Sequence, residues 1–223
     1  MTTRNKLTLG VDEAGRGPAL GQMVLSAVVL DSSSASLLTR AGLADSKSYG
    51  SGKKGKLTRA RLAKLVMKHA VFVSVQVVDV AEVDRRVHVS ELNLLEREVA
   101  DKMISAAPEV DRIVCDGERL FGGLKAKYPH LEAVNNGESA HASVAAASVV
   151  AKTRRDELFA LMQLRYFGEF GEFAGGGYVN PATRRFLVSY ADAKNNLPPE
   201  ARRSWPYEYL KESLGDDFNA EIS

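Results

Sequence analysis

Two acids stand side by side at the end of an apolar stretch. In the segment TLGVDEAGRGP, residues 8–18, a β-rich alternating run over residues 6–11 leads straight into Asp12 and Glu13. A third acid, Asp116, closes the short run RIVCD, and a fourth, Asp156, lies in a long Ala-rich stretch with helical character. In an α/β sheet the strand ends gather at one rim, where ligands bind. Carboxylates gathered there repel one another and take up protons unless a cation is shared. Mg²⁺ prefers hard oxygens and is held by a few carboxylates plus substrate phosphate. Two such ions about 4 Å apart clamp the attacking and leaving oxygens of a phosphoryl transfer. Each acid taken singly reads more plainly as a helix cap or the partner of a nearby base. Adjacent acids after one apolar strand, with another acid after a second, are harder to explain that way. Neighbouring residues of a strand face opposite ways. Asp12 and Glu13 are therefore expected to meet at one site only if the strand frays or twists, which the Ala14-Gly15 turn permits.

Other residues offer weaker signals. Arg16 is flanked by Gly15 and Gly17; glycines bring backbone N–H groups close to a ligand, and a guanidinium grips phosphate or sugar oxygens. A tight turn with a solvated arginine is the plainer alternative. GSGKKGKL, residues 50–57, nearly matches a nucleotide-binding P-loop, but Leu57 stands where a metal-binding hydroxyl is required. A basic loop touching a polyanion, or simply solvated, fits better. Tyr178, after three glycines, could stack on a sugar or base or pack against the helix that follows. His130 and His141 read more readily as structural than as acid/base groups. Cys115 sits inside a strand and is expected to be inert.

These residues need elements to hold them. Residues 22–30 and 71–78 read as further strands, as do the runs ending at Asp116 and HLEAVN. KSYGSGKKGK reads as a loop, and residues 57–69 as a helix. Residues 90–106 read as the clearest helix, capped by Ser90, with Leu92, Leu95, Val99 and Met103 as its apolar stripe. Residues 140–167 form a long helix, in which Ser148, Lys152 and Asp156 share a face by their four-residue spacing. Residues 181–193 form another, and GDDFNAEIS is expected to be a frayed acidic tail. Alternating strands and helices imply a mixed α/β sheet.

Bulk properties exclude little but agree. The 223 residues suit one domain with an appendage; 45% are hydrophobic and 26% charged, and net charge is only +2. Local charge must carry any nucleic-acid argument. Residues 46–78 hold eight basic residues and no acid. One cysteine excludes an intrachain disulfide, and no Cys/His cluster has zinc spacing. The longest apolar run, MVLSAVVL, is far too short to span a membrane. A cytoplasmic protein with no membrane contact is the expectation.

The blocks GVDEAGRGPALGQMVLSAVVL, LADSK, VCDGE, SVAAASVVAKTRRD and GGGY occur in the order and near the spacing of the type 2 ribonuclease H family. The chain resembles that family from about residue 7 to 205; ELNLLEREVADKMI and ARRSW lie closer to its archaeal and eukaryotic-type members. The resemblance implies an RNase H-like fold, a mixed five-stranded sheet flanked by helices with a helical C-terminal region. It implies a catalytic domain over residues 1–167 and a helical substrate-binding region with the acidic tail over 168–223. It implies an endonuclease cutting RNA in RNA/DNA hybrids and at ribonucleotides embedded in duplex DNA, with Mg²⁺ or Mn²⁺, two ions per site, leaving 5′-phosphate and 3′-hydroxyl ends. By matching position, Asp12, Glu13, Asp116 and Asp156 would hold the metal, and Gly15, Arg16 and Gly17 would read the ribose 2′-hydroxyl. Tyr178 would stack on the following deoxyribose, and Lys47 would lie near substrate phosphates. Ser48 replaces the second lysine of the usual DSKK, and NNGESAHASV departs from the family's usual sequence before the long helix. A monomer is expected, and the tail shows no clear motif for a sliding clamp. Two rivals remain: an RNase H-fold DNA nuclease of resolvase type, and a non-catalytic nucleic-acid-binding module.

Overall fold

The computed structural model describes residues 6–215, so the acidic tail from residue 216 lies outside the described residues. Five strands form one sheet: β1 Leu7–Ala14, β2 Met23–Asp31, β3 Phe72–Val78, β4 Arg112–Asp116 and β5 Leu131–Val134. Their spatial order is β3-β2-β1-β4-β5. β1 runs antiparallel to β2 and parallel to β4, and β4 parallel to β5. The helices are α1 Ser32–Arg40, α2 Lys53–His69, α3 Val80–His88, α4 Leu92–Ala106, α5 Glu118–Phe121, α6 Gly137–Ala140, α7 Ala142–Phe170, α8 Pro181–Lys194 and α9 Lys211–Leu214. The mixed five-stranded sheet with flanking helices is the architecture the sequence led us to expect.

The described chain divides into two units. The first takes residues up to Ala14, then Val24–Val77 and Asn93–Arg154; the second takes Gly15–Met23, Val78–Leu92 and the chain from Arg155 on. In the first unit β2 is buried at every residue but Asp31, as a strand covered on both faces must be. Its Val28 and Leu30 join Leu38, Leu62 and Val66 from α1 and α2 and Ala145, Ala146, Ala147, Val149 and Val150 of α7 in one core. Alanines there let α7 lie close to the sheet. The closest approach is at Gly10 of β1, where an added Cβ would come within 2.2 Å of the Ser143 carbonyl carbon. The second unit has an aromatic core: Phe159, Tyr166, Phe173, Phe186 and Tyr207 are buried in it. Phe173 and Phe186 stack with ring centroids 4.1 Å apart.

Three local readings of the sequence are corrected. β1 does not fray after Val11; it stays paired with β2 through Ala14↔Val24. The loop read into KSYGSGKKGK is shorter than expected. Ser46–Tyr49 forms a 3-10 turn whose Lys47 N–H is held by the Asp45 carboxylate at 2.8 Å, and α2 already starts at Lys53. Gly55 permits this, because its Cα packs on the Gly50 carbonyl, which the Arg59 guanidinium also holds at 2.8 Å. Ser90 does not cap α4. It adopts a left-handed φ of 57° and ends α3, with Ser90 N–H donating to Val87 O and Glu91 N–H to Arg86 O. That 5→2, 6→1 pair is a Schellman closure. It also accounts for α3, which apolar periodicity did not suggest.

Gly10→Ala forces β1 and α7 apart. We expect a loss of stability on the order of 1–3 kcal/mol, the cost of overpacking a dense core. Thermal melting checks this; an unchanged midpoint would show that the contact relaxes freely.

Candidate active site

In the first unit, three of the expected acids come together through sheet register. β1 and β4 pair in parallel through Gly10↔Val114 and Val11↔Cys115, and the ladder stops there. Asp12 and Glu13 on β1, and Asp116 on β4, come directly after that last pair. They lie at the C-terminal rim, where parallel strands leave backbone groups uncommitted. Strand alternation sends Asp12 inward, where it is buried, and leaves Glu13 partly exposed. One Asp12 carboxylate oxygen accepts the Glu13 N–H at 2.8 Å, and Asp116 accepts the Gly137 N–H at 2.8 Å. Burial holds the Asp12 carboxyl well above the usual carboxylate range; the Glu13 and Asp116 charges push the same way, and Ser148 and Lys152 only partly oppose them.

A fourth acid of this unit was not singled out from the sequence. Glu138, in α6, is almost fully buried and is surrounded by donors. Its Oε2 accepts from the Ser46 and Ser148 hydroxyls, each at 2.7 Å, and from the Ser46 N–H at 3.2 Å. Lys47 Nζ lies 3.2 Å from Oε1 and Lys152 Nζ 3.5 Å from Oε2. Lys152 also donates to Ser46 and to Ser148. Burial alone would raise the Glu138 pKa, but the Ser148 and Ser46 hydroxyls and the Lys152 and Lys47 ammonium groups outweigh it and hold it at about 2. Ser148 and Lys152 thus serve both Asp12 and Glu138. The only sequence signal was their four-residue spacing on α7; nothing marked Glu138 as their partner. Lys47, expected near phosphate, has Glu138 as its nearest anion and keeps most of its side chain exposed. Asp156 lies on the part of α7 that belongs to the second unit, next to the buried Arg155. Burial pushes the Cys115 thiol up to about 12, so it stays protonated at neutral pH, as expected of an inert cysteine.

The second unit gathers Gly15, Arg16, Gly17 and Tyr178. Gly15 has φ of +86° and its Cα lies against Arg155, whose Nε a Cβ would approach to 2.0 Å. The Gly17 Cα faces the Tyr178 ring, with 3.6 Å from a Cβ placed there to the ring edge. Tyr178 is 56% exposed, so it is not the packed side chain of the plainer reading. The turn is held from the C-terminal segment. The fully buried Arg202 donates to the carbonyls of Gly15, of Arg16 at 2.7 Å and of Gly21 at 3.0 Å. Trp205 Nε1 donates to Gly17 O at 3.0 Å. Both residues lie in ARRSW, which carried the resemblance but suggested no role.

The family model for ribonuclease HII matches residues 9–207. The chain belongs to the ribonuclease HII family. A ribonuclease HII from Pyrobaculum neutrophilum is 37% identical over 207 residues, covering 91% of this chain and 95% of that protein. The crystal structure of ribonuclease H2 from Pyrococcus horikoshii OT3 superposes with a TM-score of 0.76 at 26% identity, over 97% of this chain and 98% of that one. Bst-RNase HIII, solved in complex with Mn²⁺, shares the fold at a TM-score of 0.69 and 19% identity, over 95% of this chain and 71% of that one. The chain is accordingly an RNase H endonuclease.

The residues of this ribonuclease HII chain fit the divalent metal on which RNase H enzymes depend. Asp12, Glu13 and Asp116 offer hard carboxylate oxygens, and burial, with the repulsion of its two neighbours, keeps Asp12 toward its protonated form. Among the described residues no three His, Cys, Asp or Glu side chains already enclose an ion site.

Two outcomes follow. Because the folded state disfavours charge on Asp12, Asp12→Asn should raise the melting temperature at neutral pH without metal. Mg²⁺ should stabilise the parent by mass action and the variant much less; equal stabilisation of both would separate Asp12 from the metal. Glu138 has the opposite sign. Its depressed pKa, about 2 against an ordinary 4.5, gives stability that is present above pH 4.5 and fades as pH falls toward 2. Denaturant unfolding should show the parent ahead of Glu138→Gln by about 3 kcal/mol near neutrality, the gap closing with acid. A pH-independent gap would contradict the ionised network.

Proposed function

We propose that the chain cleaves the RNA strand of RNA/DNA hybrids, and DNA at single embedded ribonucleotides, by two-metal hydrolysis leaving 5′-phosphate and 3′-hydroxyl ends. The observation that carries this is a buried Asp12 held away from ionisation at a sheet rim it shares with Glu13 and Asp116. Such a carboxylate is costly unless a cation is taken up there. Asp12, Glu13 and Asp116, with Asp156 as the family resemblance implies, hold Mg²⁺ or Mn²⁺. When bound, the ions supply Lewis acidity and neutralise charge on the transferring phosphate. The chain's own part is positional. Lys152 and Ser148 fix Asp12, while the Gly15–Arg16–Gly17 turn meets the 2′-hydroxyl that distinguishes RNA from DNA. Tyr178 stacks on the sugar that follows, and Lys47 lies near substrate phosphate. The region from residue 168 contributes substrate binding to a catalytic domain made of the preceding residues. The run of bases along α2 supplies salt-sensitive backbone affinity.

A second assignment of the fourth ligand has a specific observation behind it. Glu138 shares Ser148 and Lys152 with Asp12, and its neighbour Gly137 donates to Asp116. It is an ionised acid already placed within the first unit.

The test is cleavage of a duplex carrying one ribonucleotide, with Mg²⁺ or Mn²⁺ and with EDTA, mapped to the nucleotide. We expect a cut at the ribonucleotide that EDTA abolishes and none in the all-DNA duplex. Cutting of all-DNA would favour the resolvase-type rival, and metal-independent binding without turnover the non-catalytic one. Asp116→Asn should abolish cleavage while largely sparing hybrid binding. Comparing Asp156→Asn with Glu138→Gln decides the fourth ligand: the true one should lower kcat at least about a hundredfold, the scale of losing a group that stabilises transition-state charge.

A further inference from the structure

Arg202 is an unusual buried cation. Its guanidinium is fully inside the second unit, and its donors go to backbone carbonyls: Gly15 O, Arg16 O and Gly21 O. Its own N–H donates to Ala19 O at 2.8 Å, so one residue grips the stretch from Gly15 to Gly21 at four points. The Trp205 ring lies 5.1 Å from the guanidinium, and its Nε1 holds Gly17 O. Asp84 of α3 fixes the following backbone, accepting Arg203 N–H at 2.8 Å and Ser204 N–H at 3.1 Å. The clamp is therefore itself anchored. Burying a guanidinium is costly unless its donors are met, and here backbone carbonyls meet them.

The geometry of the peptide unit says what is held. A peptide is planar and trans, so its C=O and its N–H point in opposite directions. Fixing Gly15 O fixes the direction of the Arg16 N–H, and fixing Arg16 O fixes that of the Gly17 N–H. Both N–H vectors are turned away from Arg202, and the Gly17 Cα faces Tyr178. Gly17 O belongs to the peptide of Pro18, which has no N–H, so Trp205 holds that carbonyl without redirecting a donor. Arg155 packs against the Gly15 Cα and donates to Leu20 O at 3.2 Å, bracing the turn.

We infer that Arg202 is a specificity-positioning residue: by clamping the Gly15 and Arg16 carbonyls it aims the peptide N–H groups of the turn at the substrate's 2′-hydroxyl. This rests on the reading of that turn as the hydroxyl sensor. Arg202 need not touch substrate. Lysine keeps the charge but not the fork, so Arg202→Lys releases at least one carbonyl and lets the peptide planes rotate.

The experiment compares the parent and Arg202→Lys in two measurements: kcat/KM on a duplex with one ribonucleotide, and Kd for the all-DNA duplex of the same sequence. Melting curves run alongside. We expect kcat/KM on the ribonucleotide substrate to fall about tenfold or more, the scale of one charge-assisted hydrogen bond, with Kd for all-DNA unchanged. Unchanged kcat/KM overturns the inference, and so does a parallel loss in both measurements in a folded variant. If the parent itself shows no preference for the ribonucleotide, the hydroxyl-sensing reading fails and takes the inference with it. Should Arg202→Lys not fold, Asp84→Ala leaves Arg202 in place and releases the anchor of the backbone that follows it, the bonds to Arg203 N–H and Ser204 N–H. A smaller loss in the same ratio supports the clamp; an unaltered ratio sinks it.

Discussion

A carboxyl group kept in the protein interior beside two other acids is the constraint on which the first unit depends. Asp12 lies on a central strand where solvent cannot relieve it, with Glu13 and Asp116 close enough to raise its pKa further. Water would dissipate such repulsion; a packed interior does not. The chain answers with Ser148 and Lys152 on α7, which oppose the repulsion without cancelling it. The same two residues, with Ser46 and Lys47, satisfy Glu138 so fully that it stays ionised down to about 2. Two buried acids with shared partners thus have opposite tendencies. One is provided for by protein groups, and the other is not.

That arrangement requires α7 to sit close against the sheet. A helix packed on a strand usually stands off by the width of its side chains. Here Gly10 on β1 and the alanines at 145–147 on α7 remove that width, so the Ser143 backbone rests directly on the strand. The packing and the chemistry are then one problem: residues chosen small for contact bring Ser148 and Lys152 within reach of Asp12. The end of the β1–β4 ladder at Val11↔Cys115 completes the geometry, because the acids come just past the last backbone pairing.

The second unit solves the inverse problem. There the buried charge is positive, and carbonyl dipoles meet it. Burial, together with the like charge of Arg155, lowers the Arg202 pKa to about 10, still high enough for the group to stay charged near neutrality. A cation bonded to carbonyls orders backbone rather than side chains. It suits a turn two of whose residues are glycine, which bring little conformational preference of their own.

Much of this was readable in advance, for identifiable reasons. Apolar alternation located β1, apolar runs located β2 and β3, and acids at the ends of apolar runs pointed to Asp12, Glu13 and Asp116, because such patterns are local. Helix starts were less readable. Lys53 begins α2 only because Gly55 can pack on the Gly50 carbonyl, and Ser90 closes α3 rather than opening α4 because its left-handed φ serves a backbone closure. Glu138 and Arg202 were invisible as functional groups. Their meaning lies in partners 92 and 187 residues distant, Ser46 and Gly15. By itself the sequence determined the family, the sheet, the rim acids and the glycine-flanked arginine, since each is written in a contiguous motif. Only the tertiary structure decided which acid is satisfied by protein groups and which is not, and which arginine fixes the turn. Burial and long-range hydrogen bonds set those properties, and neither exists until the chain has folded.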